Sequence, residues 1–580
     1  MAKEANIYFE FSTNEKVAME VAATAAASGL RSFTFMKHVG MNVASDSFMT
    51  TAYSGVNGGM VILSADDPSL FSSQNEQDTR NYGRLANVPI LEPSNCQEVK
   101  DMVKYAFDLS EQFKLPVIVR TTTRVSHMRG VVEFGEVVDN SSEGESHWKK
   151  GFFKKNPAQF VPVPAFAKDM HVALVEKMDE INKITNESDF NVESYFSQNK
   201  KYGVIASSSA YNYAYDVIRY NNLDIDVLKL GFSYPFPYDK VADFVKDYDE
   251  VFIVEEVDPI IEKDTLVAIG KNSLNTVVHG KLDGTFPVYH EFNSDIVANG
   301  FNKYLNFIEE NTDDYSDNLL NLQEEIPSRA PVLCAGCPHR AMYYGVNKAL
   351  EELGIPLKDA VFASDIGCYT LGINPPYNAA DYLLSMGSSV GDGCGFSIAT
   401  NQKVISFIGD STFFHSGISP LINAVHNKNN FILTVLDNRI TAMTGGQPNP
   451  GIPVDGMGDD APEISIRKLA LACGCNYVRV INPLNLDQVV KTYKEALERD
   501  EVCVIIAKAP CTLIKGKTRK PPVNYIDSNC NGCNKCVNEL ACPAISKDSG
   551  KIAIDSSMCD GCGVCIQVCK YGALEAGRGE

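Results

Sequence analysis

Through the first 150 residues, short apolar runs alternate with longer stretches whose apolar residues return every three or four positions. Ile7–Phe11, Met60–Ser64 and Pro116–Arg120 read as strands; Glu15–Ser28 and Cys96–Phe113 read as helices. That alternation predicts parallel α/β structure. Asp139–Pro164, with the only Trp, two Lys pairs and several Pro, reads as a loop. A second α/β block is expected from about 195 to 310, with strands Gly203–Ser207, Asp226–Leu230 and Glu250–Glu255. A polar connector, Asn311–Ala330, leads to a third α/β block ending near Ile514. The basic, Pro-containing linker Lys515–Pro522 precedes a cysteine-rich tail. The expected domains are residues 1–150, 195–310, 325–514 and 523–580, in line with about 150 residues per domain.

Composition narrows the class. Of 580 residues, 44% are apolar and 22% charged, as in ordinary globular chains. The formal net charge of −21 argues against general nucleic-acid binding, which needs a basic face. No apolar run approaches the roughly 20 residues of a membrane helix, and the start of the chain does not resemble a secretory signal. A soluble, cytoplasmic protein is the expectation.

Of 17 cysteines, eight lie between Cys530 and Cys569. They read Cys530-x2-Cys533-x2-Cys536-x5-Cys542-Pro543 and Cys559-x2-Cys562-x2-Cys565-x3-Cys569. Two-residue spacing lets three thiolates wrap one cubane while the fourth reaches the neighbouring cluster. Paired zinc sites also use CxxC pairs, but they do not explain two Cys-x2-Cys-x2-Cys triplets. The pattern resembles a bacterial two-cluster ferredoxin. By that resemblance Cys530, Cys533, Cys536 and Cys569 hold one [4Fe–4S] cluster, and Cys542, Cys559, Cys562 and Cys565 the other. The first motif departs from the pattern by its five-residue gap, and Lys570 stands where a second Pro is usual.

In the third block, the apolar run Lys403–Gly409 leads into Asp410-Ser411. A helical stretch comes next, with Ile418, Leu421, Ile422 and Val425 on one face, and then a second strand, Phe431–Leu436, ending in Asp437-Asn438. A β-α-β crossover makes the two strands parallel and brings Asp410 and Asn438 to one sheet edge. A carboxylate and an amide oxygen there suit Mg²⁺ with phosphate oxygens. Gly409-Asp410-Ser411, 25 residues, then Asp437-Asn438 resembles the thiamine diphosphate motif. That resemblance gives Asp410, Asn438 and the carbonyl of Ile440 to the metal, and Gly409 and Ser411 to the cofactor. Gly391-Asp392-Gly393 matches the letters but comes after a small-residue stretch instead of a strand. For the tripeptide alone, an ordinary strand-to-helix cap is the competing reading.

Thiamine chemistry also needs a carboxylate on the aminopyrimidine ring. Glu15 is the candidate, although Ser12-Thr13-Asn14-Glu15 also reads as a capping box. Asn14-Glu15-x2-Ala18 with Ala25-Ala26-Ala27-Ser28-Gly29 and Arg31 resembles the pyrimidine-binding domain of thiamine-dependent decarboxylases, whose catalytic Glu lies at the matching place.

Together these pieces resemble the 2-oxoacid:ferredoxin oxidoreductases, and among them the large (alpha) subunits of indolepyruvate ferredoxin oxidoreductases. The resemblance is carried by residues 36–46, 72–80, 334–340 (Cys-Ala-Gly-Cys-Pro-His-Arg), 365–370 (Asp-Ile-Gly-Cys-Tyr-Thr) and 409–415. It implies a multi-domain α/β fold: a pyrimidine-type domain, a transketolase C-terminal-like domain, a diphosphate-type domain and the ferredoxin tail. It also implies oxidative decarboxylation of an arylpyruvate to aryl-acetyl-CoA, with coenzyme A as co-substrate, external ferredoxin as acceptor and a small beta subunit as partner. Against the family, the segment before Glu15 is short, and the chain reads as N-terminally shortened. Cys334, Cys337, Cys368 and Cys511 are candidates for a third cluster, with buried thiols in tight loops as the alternative. His339 and His415 are candidates to contact phosphate or substrate, and Arg80 and Arg124 to bind a carboxylate, with surface ion pairing as their plainer role. Two other classes remain: a non-oxidative thiamine carboligase or decarboxylase with structural clusters, and an electron-transfer subunit inactive through truncation.

Overall fold

A computed structural model describes residues 2–135, 150–308, 331–514, 516 and 518–577. The chain divides into two compact units, Asn14–Ser316 and a second made of Met1–Thr13 with Asp317–Glu580. The connector read at Asn311–Ala330 lies outside the described residues, as do residues 136–149, which include the start of the expected loop.

Unit Asn14–Ser316 holds two five-stranded sheets. The first runs Ser32–Lys37, Met60–Asp66, Val117–Thr122, Ile90–Leu91 and Phe232–Tyr234, all parallel but the last. Val117–Thr122 is buried along its whole length, as expected for a parallel strand covered on both faces. Ser32–Lys37 is an edge strand, with Phe33 and Phe35 on its exposed positions. The second sheet runs Val277–His279, Glu250–Val254, Tyr202–Ser207, Ile225–Leu230 and an antiparallel Val192–Ser194. Phe232–Tyr234 comes directly after Ile225–Leu230 in the chain, yet pairs with the first sheet.

A buried ionic network spans the two sheets. Arg80, 1% exposed, bonds Asp78 (2.5 Å) and, from the second sheet's side, Glu255 (2.7 Å). It also donates to the carbonyls of Glu256 and Asp258, both at 3.0 Å. Arg120 pairs with Asp66 (2.6 Å) and with Glu92. Arg80 is therefore neither a surface ion pair nor open to a substrate carboxylate; its donors are committed to this network. Arg124 is exposed and paired with Glu291.

In the second unit, the sheet order is Ala360–Ala363, Lys403–Gly409, Ile432–Asp437, Cys503–Lys508 and Tyr477–Ile481, all parallel. The crossover between Lys403–Gly409 and Ile432–Asp437 is as expected from sequence. Its helical segment starts at Asp410–Thr412, passes through a π-helical turn at Phe413–Gly417 and continues as Ile418–His426. There Leu421 and Ala424 are buried while Ile422 faces outward. The tail adds two antiparallel strand pairs and two short helices, Lys535–Asn538 and Val564–Val568.

Several local expectations change. Ile7–Phe11 is not a strand; it is irregular, and Phe11 and Glu10 pass so close to Gly456 that a Cβ there would meet Phe11 N at 3.0 Å. Lys3 pairs with Asp459 on the same loop. The end of the expected loop contains the short helix Pro157–Phe160, and from Pro164 the chain runs as a 23-residue helix to Asn186. Among the described residues no helix is long and apolar enough to cross a membrane.

Candidate active site and thiol relay

Parallel register sets Gly409 beside Leu436, so Asp410 and Asp437 leave adjacent strands at the same level. Asp410 is buried; its carboxylate accepts from Ser411 N (2.8 Å) and from Asn449 Nδ2 (3.1 Å). Burial and the neighbouring Asp437 charge push its carboxyl up to about 7. Burial likewise raises Asp437. Two desolvated carboxylates side by side are costly without a cation, and that shortfall is what Mg²⁺ would supply. Arg439 takes a left-handed backbone (φ +66°), turning the chain between Asn438 and Ile440, and Ile440 N donates to Asn438 Oδ1 at 3.2 Å. An amide oxygen keeps a second lone pair for a metal. Gly409 is required by packing, since a Cβ would stand 2.7 Å from the Tyr369 ring. The residues therefore fit a magnesium-bound diphosphate.

His339 is fully buried, which lowers its imidazole to about 4 and keeps it neutral; its Nε2 lies 3.5 Å from Asn438 Nδ2. His415 is buried in the π-helical turn and bonds Ser416 Oγ. Gly391-Asp392-Gly393 lies inside the helix Ser388–Ala399, away from any strand end. Sequence reasoning missed Asn449 and Asp365. The Asp365 carboxylate, pushed up to about 6 by burial, accepts from the backbone N–H of Ile366, Gly387 and Ser389. A buried Asp just past the strand Ala360–Ala363 was the available signal; Asn449 sits in an irregular loop with none.

Glu15 opens the helix Glu15–Ala27 as its first residue, and Asn14 caps it by accepting from Val17 N at 2.9 Å. The capping box read at Ser12–Glu15 does not form, because Glu15 is one residue past the cap instead of three. Its side chain lies over Gly40, where a Cβ would meet Glu15 Cγ at 2.7 Å. That close approach requires glycine in the helix His38–Ser54.

Of the candidate third-cluster residues, Cys511 follows the strand Cys503–Lys508 and sits against the Asn438 turn. Burial and the thiols of Cys511 and Cys334 raise Cys368. Burial pushes Cys337 up to about 12, opposed by the backbone N–H groups of His339 and Arg340 and reinforced by Cys334. Cys511 N donates to the carbonyl of Asn438 at 2.9 Å. In the tail, Cys536 is raised by burial, reinforced by the charges of Cys533, Cys569 and Cys530. Cys565 is pushed up to about 12 by burial, reinforced by Cys562, Cys542, Cys559 and Cys536.

The tail is docked on the thiamine-type domain. Gln567 accepts from Leu486 N (2.9 Å) and donates to Leu484 O (2.8 Å). Gly336 adopts φ +72°, and a Cβ there would meet Asp560 Cβ at 2.6 Å. The Cys334–Cys337 loop therefore packs directly on the Cys559–Cys562 loop.

Comparison with known proteins agrees with this layout. Residues 365–507 match the family described as thiamine pyrophosphate enzyme, C-terminal TPP binding domain. Residues 2–197 match pyruvate flavodoxin/ferredoxin oxidoreductase, thiamine diphosphate-binding, and residues 522–570 match the 4Fe-4S dicluster domain. Indolepyruvate oxidoreductase subunit IorA of Methanothermobacter marburgensis is 55% identical, over 99% of this chain and 91% of that one. The subunit of the same name from Pyrococcus horikoshii is 41% identical over 100% and 91%. That from Archaeoglobus fulgidus is 41% identical over 99% and 90%. The chain belongs to the indolepyruvate oxidoreductase subunit IorA family, thiamine-diphosphate-dependent oxidoreductases with a 4Fe-4S dicluster domain.

Proposed function

We propose that the chain is the large subunit of an enzyme that oxidatively decarboxylates arylpyruvates such as indolepyruvate. The products are aryl-acetyl-CoA and CO₂, and the electrons go singly to an external ferredoxin. A small beta subunit completes the enzyme, as the subunit naming of the relatives suggests. The observation that carries the oxidative reading is the bond from Cys511 N to Asn438 O. It ties one of the four candidate cluster residues to the turn that would offer the metal its amide oxygen, which supports an electron acceptor near the cofactor's diphosphate end. A carboligase with structural clusters would not need them there.

When bound, thiamine diphosphate supplies the nucleophilic carbon and the electron-rich decarboxylated state, and iron–sulfur clusters supply one-electron steps. The chain's residues do the rest. Asp410 Oδ, Asn438 Oδ1 and the Ile440 carbonyl hold Mg²⁺ and, through it, the diphosphate, with Gly409 and Ser411 beside it. Asp437 adds negative charge that strengthens the cation's grip, and Asn449 keeps the Asp410 carboxylate aimed. Glu15 holds the proton shared with the aminopyrimidine ring, and Gly40 leaves room for that carboxylate. Neutral His339 and His415 serve as hydrogen-bonding groups near the diphosphate end. Cys334, Cys337, Cys368 and Cys511 hold a cluster near it; the two tail sets hold two more.

The test is cluster reduction in the anaerobic complex with its small subunit. Indolepyruvate, thiamine diphosphate, Mg²⁺ and coenzyme A should bleach the visible iron–sulfur absorbance, and 2-oxoglutarate should not. Aldehyde or carboligation product with unbleached clusters would favour the non-oxidative reading. No turnover in the presence of intact clusters would leave an electron-transfer subunit.

A further inference from the structure

Arg340 is 5% exposed, and its hydrogen bonds go to backbone carbonyls and one hydroxyl. Its Nη2 donates to the carbonyl of Leu333 and, at 3.5 Å, to that of Cys334. Its Nη1 donates to the carbonyls of Ala541 and Leu540 (3.2 Å) and to the Tyr377 hydroxyl (2.9 Å). Tyr377 in turn donates to Leu540 O. One guanidinium thus grips the backbone before Cys334 and the backbone before Cys542. The second grip falls on the five-residue gap that sets the first ferredoxin motif apart. The extra residues give the loop carbonyls that Arg340 and Tyr377 can hold.

One donor is left over. Arg340 Nε is buried and has no hydrogen-bond partner. Arg340 also lines a mostly apolar cavity together with Cys542, Cys559, Cys562, Cys565 and the buried Asp560, whose carboxylate, among the described residues, makes no ion pair with the guanidinium. A buried N–H ordinarily has an acceptor. That deficit is met by an anionic, sulfur-rich group in that cavity, and a [4Fe–4S] cluster on cysteinate ligands is one in either oxidation state.

We infer that Arg340 Nε–H donates to a sulfur of the cluster held by Cys542, Cys559, Cys562 and Cys565, and that this cation raises that cluster's reduction potential above what its cysteines alone would give. The reasoning is electrostatic: the reduced cluster is the more negative, so a nearby desolvated cation and N–H donor stabilise it over the oxidised form. Arg340 is a positioning residue for the two cysteine loops and a tuning residue for the cluster. The inference rests on the iron–sulfur reading above, and the two fail differently. A full chain that binds no iron sinks that reading; a full chain with intact clusters indifferent to Arg340 sinks only this one.

The experiment is a potentiometric titration, monitored by electron paramagnetic resonance, of the full chain carrying its clusters. Arg340→Met should move one tail cluster's midpoint to more negative potential by at least a tenfold change in its reduction equilibrium, about 59 mV for one electron. The other tail cluster should stay in place. Arg340→Lys, which keeps the charge but not the fork, should fall between. Unchanged midpoints at full iron content, or equal shifts in both tail clusters, would overturn the inference. Should the variants bind less iron, the unaltered chain decides: with ¹⁵N-arginine, electron–nuclear double resonance on the reduced chain should show a ¹⁵N coupling and an exchangeable proton. Absence of both would refute the bond.

Discussion

Replacing Arg80 with Met leaves the buried Glu255 carboxylate without its cation, while Asp78 keeps Arg120 at 3.6 Å. Breaking a buried pair by removing one member costs about 3–5 kcal/mol, because the remaining charge is uncompensated. The carbonyls of Glu256 and Asp258 also lose their donor, at about 1 kcal/mol each. Since such terms overlap, Arg80→Met should destabilise the Asn14–Ser316 unit by about 5 kcal/mol, a large share of a typical domain's stability. Urea-induced unfolding monitored by far-ultraviolet circular dichroism measures it. The deficit should depend on pH. Burial already raises the Glu255 carboxyl, and Arg80 is the main charge opposing that rise. Without Arg80 the folded chain holds this proton more tightly than the unfolded chain. The deficit is therefore fully present at neutral pH and shrinks as pH falls toward the ordinary glutamate range. Adding Glu255→Gln to the variant should return at least about 1 kcal/mol. A loss below about 1 kcal/mol, or a deficit that widens on acidification, would refute the reasoning.

Two further outcomes are expected. Burial lowers the Lys281 ammonium from 10.5 to about 8, so between those values the folded chain holds fewer protons than the unfolded chain, and stability should rise with pH there. Lys281→Met should abolish that alkaline gain, worth up to about 3 kcal/mol, as read from urea midpoints at pH 7.5 and 10. Cys542→Ser and Cys565→Ser should each lose the same paramagnetic species and about four iron atoms, while Cys569→Ser loses the other. Loss of the same species from Cys536→Ser and Cys542→Ser would show the thiols to be grouped differently.

Much of the site was legible because its signals are local. Lys403–Gly409 is a strand between the predicted residues, and Cys96–Phe113 is a helix with the predicted ends, since a strong pattern and an Asn cap coincide there. Strand direction brings Asp410 and Asn438 to one sheet edge; their role toward a metal came from the resemblance. Ile7–Phe11 failed because an apolar run makes a strand only when another strand offers its hydrogen bonds, and among the described residues it joins no sheet. Phe232–Tyr234 and Ile90–Leu91 are too short for any periodicity to register. Arg80 looked like surface because its partner Glu255 lies 175 residues away. The same distance effect hid Arg340, whose acceptors Leu540 and Ala541 are 200 and 201 residues downstream.

The strand Phe232–Tyr234 has a practical consequence for anyone dissecting the gene. Because it closes the far margin of a sheet whose other members come from residues 32–122, a fragment ending near residue 190 would be born with a raw row of amides and carbonyls along Ile90–Leu91. Such an edge can stack with its own copies, so splitting the polypeptide there for coexpression should favour aggregation, whereas a cut placed after Leu305 keeps the sheet whole.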